Sequence, residues 1–65
     1  MYPYHNKIKS RIKNGELVRH YYDPNYPGIG PAYILVFRTA PFLRPIRPYR
    51  WPEYQKLLEA HHDAG

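Results

Sequence analysis

The alternation of basic and non-basic residues near the start of the chain predicts a β-hairpin. Residues 7–13 alternate strictly, with a lysine or arginine at every odd position and two isoleucines among the even ones. A period of two is typical of a β-strand. Asn14-Gly15 follows, a dipeptide favoured in the two-residue turns of hairpins. Residues 16–22 then supply a second segment rich in strand-forming side chains.

A two-residue turn at this point fixes the register of the predicted hairpin. It pairs Ile12 with Leu17 and Lys13 with Glu16, so one face is apolar and the other basic. The same register places Arg19 on the apolar face. There it needs an acidic partner, an edge position or a nearby bulge.

The competing interpretation of this segment is a short helix over residues 6–13 that ends at Gly15. Ile8 and Ile12 would then lie one turn apart and form a narrow apolar stripe. Such a helix places four basic side chains within two turns, where like charges three or four residues apart repel one another. We therefore predict the hairpin.

Residues 32–39 are the most apolar segment and predict the best-buried strand of the sheet, after a loop over residues 23–31 that is rich in proline and glycine. Apolar residues occupy both sets of alternate positions, so both faces of this strand need a cover. The chain supplies one cover. The second is either the proline-rich segment or another copy of the chain, which keeps a homodimer open.

Residues 41–51 predict an extended polyproline-like segment, because prolines recur too often for a central strand or a helix. The period of three in that conformation separates an apolar edge from a basic edge. The apolar edge, directed at the sheet, comprises Leu43, Ile46 and Tyr49, and the outward basic edge comprises Arg44, Arg47 and Arg50.

A C-terminal helix is predicted over residues 52–62, because it would begin with proline, which suits the first helical position, followed by a glutamate near the positive end of the helix dipole. The predicted fold class is α+β, in one domain over residues 1–65. Its parts are a three-stranded antiparallel meander (strands about 7–13, 16–22 and 32–39), the proline-rich extended segment and the C-terminal helix.

Composition excludes several classes of protein. The chain has no cysteine, so disulfides and thiolate metal sites are excluded. Its longest apolar run is six residues, far short of the roughly 20 that cross a bilayer, and its start lacks a secretory pattern. We expect a cytoplasmic protein with no membrane partner. Its one serine, one threonine and five acids show no catalytic spacing, so we predict no enzyme, no metal and no cofactor, with ribonuclease-like activity of His5 or His20 as an alternative.

The net charge of +5 favours a polyanionic partner. Basic residues on one strand face would recur every ~6.6 Å, near the phosphate spacing of an extended nucleic-acid strand. Tyrosine and histidine beside them can stack on bases. We therefore predict a small, non-enzymatic module that binds DNA or RNA. The predicted nucleic-acid-binding residues are Lys7, Lys9, Arg11, Lys13, His20, Tyr22, Arg44, Arg47 and Arg50.

The alternative function is protein–protein interaction, by a small accessory or regulatory protein or a homodimer, through the surface rich in tyrosine and proline. Residues 45–50 also look like the P-x-x-P-x-R ligands of SH3 domains, which bind in the polyproline conformation. The arrangement of the basic residues separates the two functions. A continuous patch favours nucleic acid, whereas scattered arginines, or arginines tied to Glu53, Glu59 and Asp23, favour a protein partner. A solvated basic face without a partner is the third interpretation.

Overall fold

A computed structural model describes residues 4–62, with the backbone alone for residue 62. Its strands form one antiparallel sheet in the order β1-β2-β3. The predicted α+β class, with a three-stranded antiparallel meander and a C-terminal helix, is confirmed. The elements are α1 (Tyr4–Lys13), β1 (Leu17–Tyr26), β2 (Gly30–Phe37), β3 (Leu43–Ile46), a 3₁₀ turn (Pro48–Arg50) and α2 (Trp51–His62).

The predicted hairpin turning at Asn14-Gly15 is wrong, because residues 7–13 belong to helix α1 and pair with no strand. The helix buries a stripe formed by Ile8 and Ile12, which lie one turn apart. Tyr4 extends this stripe by a further turn and packs against the same core. The apolar residues of this segment therefore recur about every four positions, as in a helix, although its basic residues recur every two.

Asn14-Gly15 ends helix α1. The Gly15 N–H donates to the Ile12 carbonyl at 3.0 Å, and the Glu16 N–H donates to the Arg11 carbonyl at 3.1 Å. These are the two hydrogen bonds of a Schellman cap. Gly15 has a φ of 78°, and among the described residues only glycines have a positive φ. Asn14 thus lacks the positive φ that the predicted type I′ turn requires at both central residues.

The like-charge repulsion that argues against a helix here is offset by partners outside it. The Lys9 ammonium donates to the Glu53 carboxylate on α2. The Arg11 guanidinium lies 3.3 Å from the Glu16 carboxylate and donates to the Thr39 carbonyl at 2.7 Å. All three partners lie outside the helix in sequence. A count of like-charge repulsions within residues 7–13 therefore overstates the free-energy cost of forming the helix.

The hairpin of the sheet turns at residues 27–29, between β1 and β2. The Ile29 N–H donates to the Tyr26 carbonyl at 3.1 Å. Pro27 followed by Gly28, whose φ is 83°, has the residue pattern of a type II turn. The predicted loop over residues 23–31 is wrong, because both strands continue through most of it. The strands predicted at 16–22 and 32–39 correspond to β1 and β2 with shifted bounds.

The two faces of the sheet have different surroundings. Both helices pack on one face, which we call the helix face. Its core comprises Ile8, Ile12, Leu35, Phe37, Ile46 and Tyr54. The opposite face, which we call the outer face, carries Arg19, Tyr21, Ile34, Val36, Leu43 and Pro45, as their cross-strand pairing shows.

The outer face combines a buried centre with exposed edges. Ile34, whose cross-strand partners are Tyr21 and Pro45, is fully buried. Tyr21 and Leu43 are 41% and 44% exposed. Arg19 is accommodated on this face because β1 is an edge strand and its register with β2 shifts just before Arg19. The edge position and the nearby bulge that the sequence called for are therefore both present.

The predicted polyproline-like segment over residues 41–51 is wrong in its central part, which forms strand β3 against β2. Side chains of a strand alternate between faces, so the threefold sorting fails. Ile46 is buried as predicted, whereas Leu43 is exposed on the outer face and Tyr49 is 77% exposed. Pro45 fits because β3 is an edge strand, where a missing N–H is tolerated.

We expect the substitution Leu35→Ala to destabilise the fold by about 2–5 kcal/mol, because Leu35 is fully buried in the core of the helix face. A domain of this size has roughly 3–5 kcal/mol of stability, so the variant should be largely unfolded. Leu43→Ala, on the exposed part of the outer face, should cost less than about 1 kcal/mol. Urea unfolding followed by fluorescence of the single tryptophan, Trp51, measures both. Equal losses would contradict the assignment of the faces.

Candidate nucleic-acid interface

The nine residues predicted to bind nucleic acid lie on four parts of the fold. The regular basic row along a strand does not exist, because residues two apart in a helix point in nearly opposite directions. Lys7, Lys9, Arg11 and Lys13 lie on α1, His20 and Tyr22 on β1, Arg44 on β3, and Arg47 and Arg50 beside or within the 3₁₀ turn.

Three of these basic residues meet in a surface hollow of about 210 Å³ between α1 and β3, which we call the first hollow. Its lining residues are Tyr4, Lys7, Ile8, Arg11, Pro41 and Arg44. The guanidinium carbon of Arg44 lies 5.8 Å from the centre of the Tyr4 ring, within the range of a cation–π contact. The helix that replaced the predicted strand thus turns Lys7 and Arg11 toward β3.

Two further predicted residues line a second hollow of about 220 Å³, beside the 3₁₀ turn. Its lining residues are Tyr4, His5, Ile29, Pro45, Arg47, Tyr49 and Arg50. Tyr4 lines both hollows, and its hydroxyl donates to the Pro45 carbonyl at 3.1 Å. The two hollows therefore adjoin, and together they gather five of the nine predicted residues.

Arg11 is held in a fixed orientation at the rim of the first hollow. Its guanidinium carbon lies 4.0 Å from the centre of the Phe37 ring. Its N–H groups donate to the carbonyls of Thr39 and Pro41 at 2.7 and 3.1 Å. Lys7 and Arg44, by contrast, form no ion pair within the described residues. Arg11 therefore supplies positive charge with few unused donors, while Lys7 and Arg44 are available to an anion.

The carboxylate of Glu53 ties two predicted residues to the protein itself. Lys9 donates to one of its oxygens, and the Arg50 Nε lies 3.1 Å from the other. The hydrogen bond from Lys9 lowers the pKa of Glu53, against the opposing effect of burial, so this carboxylate is charged at neutral pH. An arginine tied to a glutamate in this way favours a protein partner over a nucleic acid.

His5 lines the second hollow and is linked to the core. Its Nδ1 lies 2.7 Å from the hydroxyl of Tyr54, a residue that is fully buried. Burial lowers the pKa of His5, and the positive charge of Arg50 lowers it further. Burial also raises the pKa of Tyr54, with a contribution from the charge of Glu53. Both partners are therefore neutral at neutral pH.

His20 and Tyr22 lie on the helix face of β1, apart from the hollows. Tyr22 is half exposed, and its ring centre lies 4.9 Å from that of Tyr33. Tyr33 stacks in turn on Trp51, with ring centres 4.3 Å apart and planes within 4°. The His20 ring lies 5.6 Å from the same tryptophan. This aromatic row continues through Tyr54 and His5 to Tyr4, at the junction of the hollows.

Lys13 lines neither hollow. Conversely, Tyr4 and Tyr49 line the hollows, although neither was among the predicted residues. Tyr4 was missed because the chain there was expected to lead into a strand. Tyr49 was missed because the polyproline model turned it toward the sheet. A helical stripe joining residue 4 to the two isoleucines is the signal that would have found Tyr4.

No family model, curated protein or solved structure matches this chain. Neither of the helices that the structure describes has the length and apolarity needed to span a membrane. Within residues 4–62, no group of three histidine, aspartate or glutamate side chains is placed to hold a metal ion.

We expect the protein to lose stability as the pH falls from about 7.5 to about 5.5, because of His5. Burial lowers the pKa of His5 in the fold from its ordinary value of 6.5. Below that value the unfolded chain takes up more protons than the folded one, so acid favours unfolding. The melting temperature of His5→Gln, whose amide does not titrate, should fall less over this range.

His20→Gln is the matched control, because it removes an exposed histidine of β1. Its melting temperature should follow that of the unsubstituted protein. If the melting temperature of His5→Gln falls as far on acidification as that of the unsubstituted protein, His5 does not cause the loss of stability.

Proposed function

We propose that the protein is a small, non-enzymatic module that binds nucleic acid through phosphate contacts and aromatic stacking. The proposal depends on one observation: Lys7, Arg11 and Arg44 line the first hollow, and the adjoining second hollow adds Arg47 and Arg50. The chain as a whole has a net charge of +5. A cytoplasmic location, as expected from the sequence, is part of the proposal.

Phosphate binding would fall mainly to the cations that form no ion pair within the described residues. These are Lys7 and Arg44 in the first hollow and Arg47 in the second. Arginine can bind a phosphate through two parallel hydrogen bonds, and lysine acts as a point charge. Each neutralised phosphate releases counterions, so the affinity depends on salt.

Base stacking would fall to two exposed aromatic rings, one beside these cations and one farther along the sheet. Tyr49 is 77% exposed and lines the second hollow. Tyr22 is 50% exposed at the far end of the aromatic row. Stacking of this kind tolerates any base, because every base presents a π face. An accessible base also requires an unpaired strand, so single-stranded nucleic acid is the favoured form within this proposal.

We expect the affinity for a fluorescently labelled single-stranded oligonucleotide to fall steeply with salt. The logarithm of the association constant should lose about 0.7 per phosphate contact for each tenfold rise in salt. Lys7→Ala and Arg44→Ala should each weaken binding and lower this slope by about 0.7. Fluorescence anisotropy measures both quantities, and a gel should show that the oligonucleotide stays intact.

Lys56→Ala is the matched control, because it removes an exposed lysine of α2 that lines neither hollow. Its salt slope should equal that of the unsubstituted protein. Absence of binding even at low salt would contradict the proposed function. Equal losses of affinity in Lys56→Ala and Arg44→Ala would show that the hollows are not the binding site.

We expect Glu53→Gln to tighten binding to the same oligonucleotide by about two- to sixfold. It removes a negative charge and frees Arg50 in the second hollow. A unit charge roughly 4–10 Å from a phosphate contributes about 0.4–1 kcal/mol in water. Glu59→Gln, on an exposed position of α2 outside both hollows, should have a smaller effect. Anisotropy titrations of both variants at one low salt concentration make the comparison, and equal effects would show that only net charge matters.

A further inference from the structure

Strand β1 is an edge of the sheet. One side pairs with β2, and its other side pairs with no strand among the described residues. The side chains of Val18–Tyr22 are exposed on both faces, although the Trp51 ring at the start of α2 lies 5.6 Å from that of His20. Val18, Tyr21 and Tyr22 are 60%, 41% and 50% exposed. Unpaired backbone groups along such an edge are a template for pairing with another strand.

The regular part of β1 is five residues long. Its register with β2 shifts between Leu17 and Arg19 and again between Asp23 and Tyr26. Between these irregularities, Arg19–Asp23 pairs with β2 without interruption. This segment can accept a further strand in regular geometry, whereas the irregular ends limit how far the pairing can extend.

The charges of this segment are complementary to the same segment read in the opposite direction. Its sequence is Arg-His-Tyr-Tyr-Asp, with a cation at one end, an anion at the other and Tyr21 at the centre. In an antiparallel pair of copies centred on Tyr21, Arg19 of each copy lies opposite Asp23 of the other. Opposite charges directly across an antiparallel pair are stabilising.

We propose that two copies of this chain associate edge to edge through residues 19–23 of β1, around a two-fold axis at Tyr21. The two sheets then form one six-stranded antiparallel sheet, with the helices of both copies on the same side. Arg19, Tyr21 and Asp23 meet their counterparts on the outer face. His20 of each copy lies opposite Tyr22 of the other on the helix face.

The charges select this register over its neighbours. A pair centred on His20 places Arg19 opposite Tyr21 of the other copy and leaves Asp23 opposite Leu17. A pair centred on Tyr22 places Arg19 opposite Asn25. The register centred on Tyr21 forms both charge pairs, and Arg19 reaches them from an exposed position.

Asp23 keeps its role within the monomer in this arrangement. One of its carboxylate oxygens accepts the N–H of Asn25 at 2.9 Å, and the other oxygen remains for the arginine of the second copy. An edge of five residues buries little area compared with the roughly 1,200–2,000 Å² of stable complexes. We therefore expect a reversible dimer that dissociates on dilution.

Sedimentation velocity of the full chain over a range of concentrations, without nucleic acid, tests the association. The unsubstituted protein should shift from its 7.8 kDa monomer to twice that mass as concentration rises. Arg19→Asp and Asp23→Arg each place like charges opposite one another, so each variant alone should remain monomeric. An equimolar mixture of the two should form a heterodimer, because every charge then faces its opposite.

The mixture shows whether the single variants are monomeric because of charge repulsion or because they fail to fold. A misfolded variant would not form the heterodimer. Lys56→Asp and Glu59→Arg make the same charge changes on exposed positions of α2 and should leave dimerisation unchanged. A protein that stays monomeric at millimolar concentration overturns the proposal. Dimers that persist in both single variants, or a mixture that stays monomeric, overturn this interface.

Cross-linking gives a second measurement on the two-fold axis. The chain has no cysteine, so Tyr21→Cys introduces a single thiol that lies opposite its counterpart in the dimer. A short bifunctional maleimide should join two copies of this variant. Val18→Cys is the control, because the two thiols would lie about 20 Å apart, six residues along the strand. Equal yields of cross-linked dimer from the two variants would overturn the axis at Tyr21.

Discussion

Burial of Ile8 and Ile12 against the sheet is the contact on which the rest of the arrangement depends. It requires residues 4–13 to be helical, and the helix then turns Lys7 and Arg11 toward β3 while Lys9 faces α2. The same burial brings the start of α1 beside α2. In a chain with no cysteine and with its main core cluster on one face of the sheet, this contact organises both that cluster and the cationic surface.

The sequence predicted correctly the elements whose signals are local. A proline and a glutamate near the start of α2 indicate a helix wherever the segment lies, and the apolar run of β2 indicates a buried strand. The N-terminal segment was mispredicted because its decisive partners are distant. Glu53, which neutralises Lys9, lies 44 residues away. Asn14-Gly15 was ambiguous, because a glycine of positive φ serves both a hairpin turn and a helix cap.

The candidate interface was predictable in its residue types and not in its grouping. Excess arginine and lysine indicated an anionic partner whichever fold the chain adopted. The joining of Arg44 with Lys7 and Arg11 follows from β3 being a strand, because alternation turns Arg44 to the helix face, where α1 lies. A polyproline segment would have aligned Arg44 with Arg47 and Arg50 along one edge. Pairing with β2 outweighed the preference of the prolines for the polyproline conformation. This outcome depends on a distant strand, so no local sequence pattern predicts it.

The carboxylate of Glu53 connects three elements of the fold, because it lies on α2 and contacts Lys9 of α1 and Arg50 of the 3₁₀ turn. Arg50, which lines the second hollow, thus shares the carboxylate that also pairs α2 with α1. An anion bound there competes with the protein's own carboxylate for the same guanidinium. A site that bound an anion more tightly through Arg50 would weaken the pairing of Arg50 with Glu53. Affinity at the second hollow would therefore be gained at the expense of the contact between the 3₁₀ turn and α2, while Lys9 would keep its own oxygen of the carboxylate.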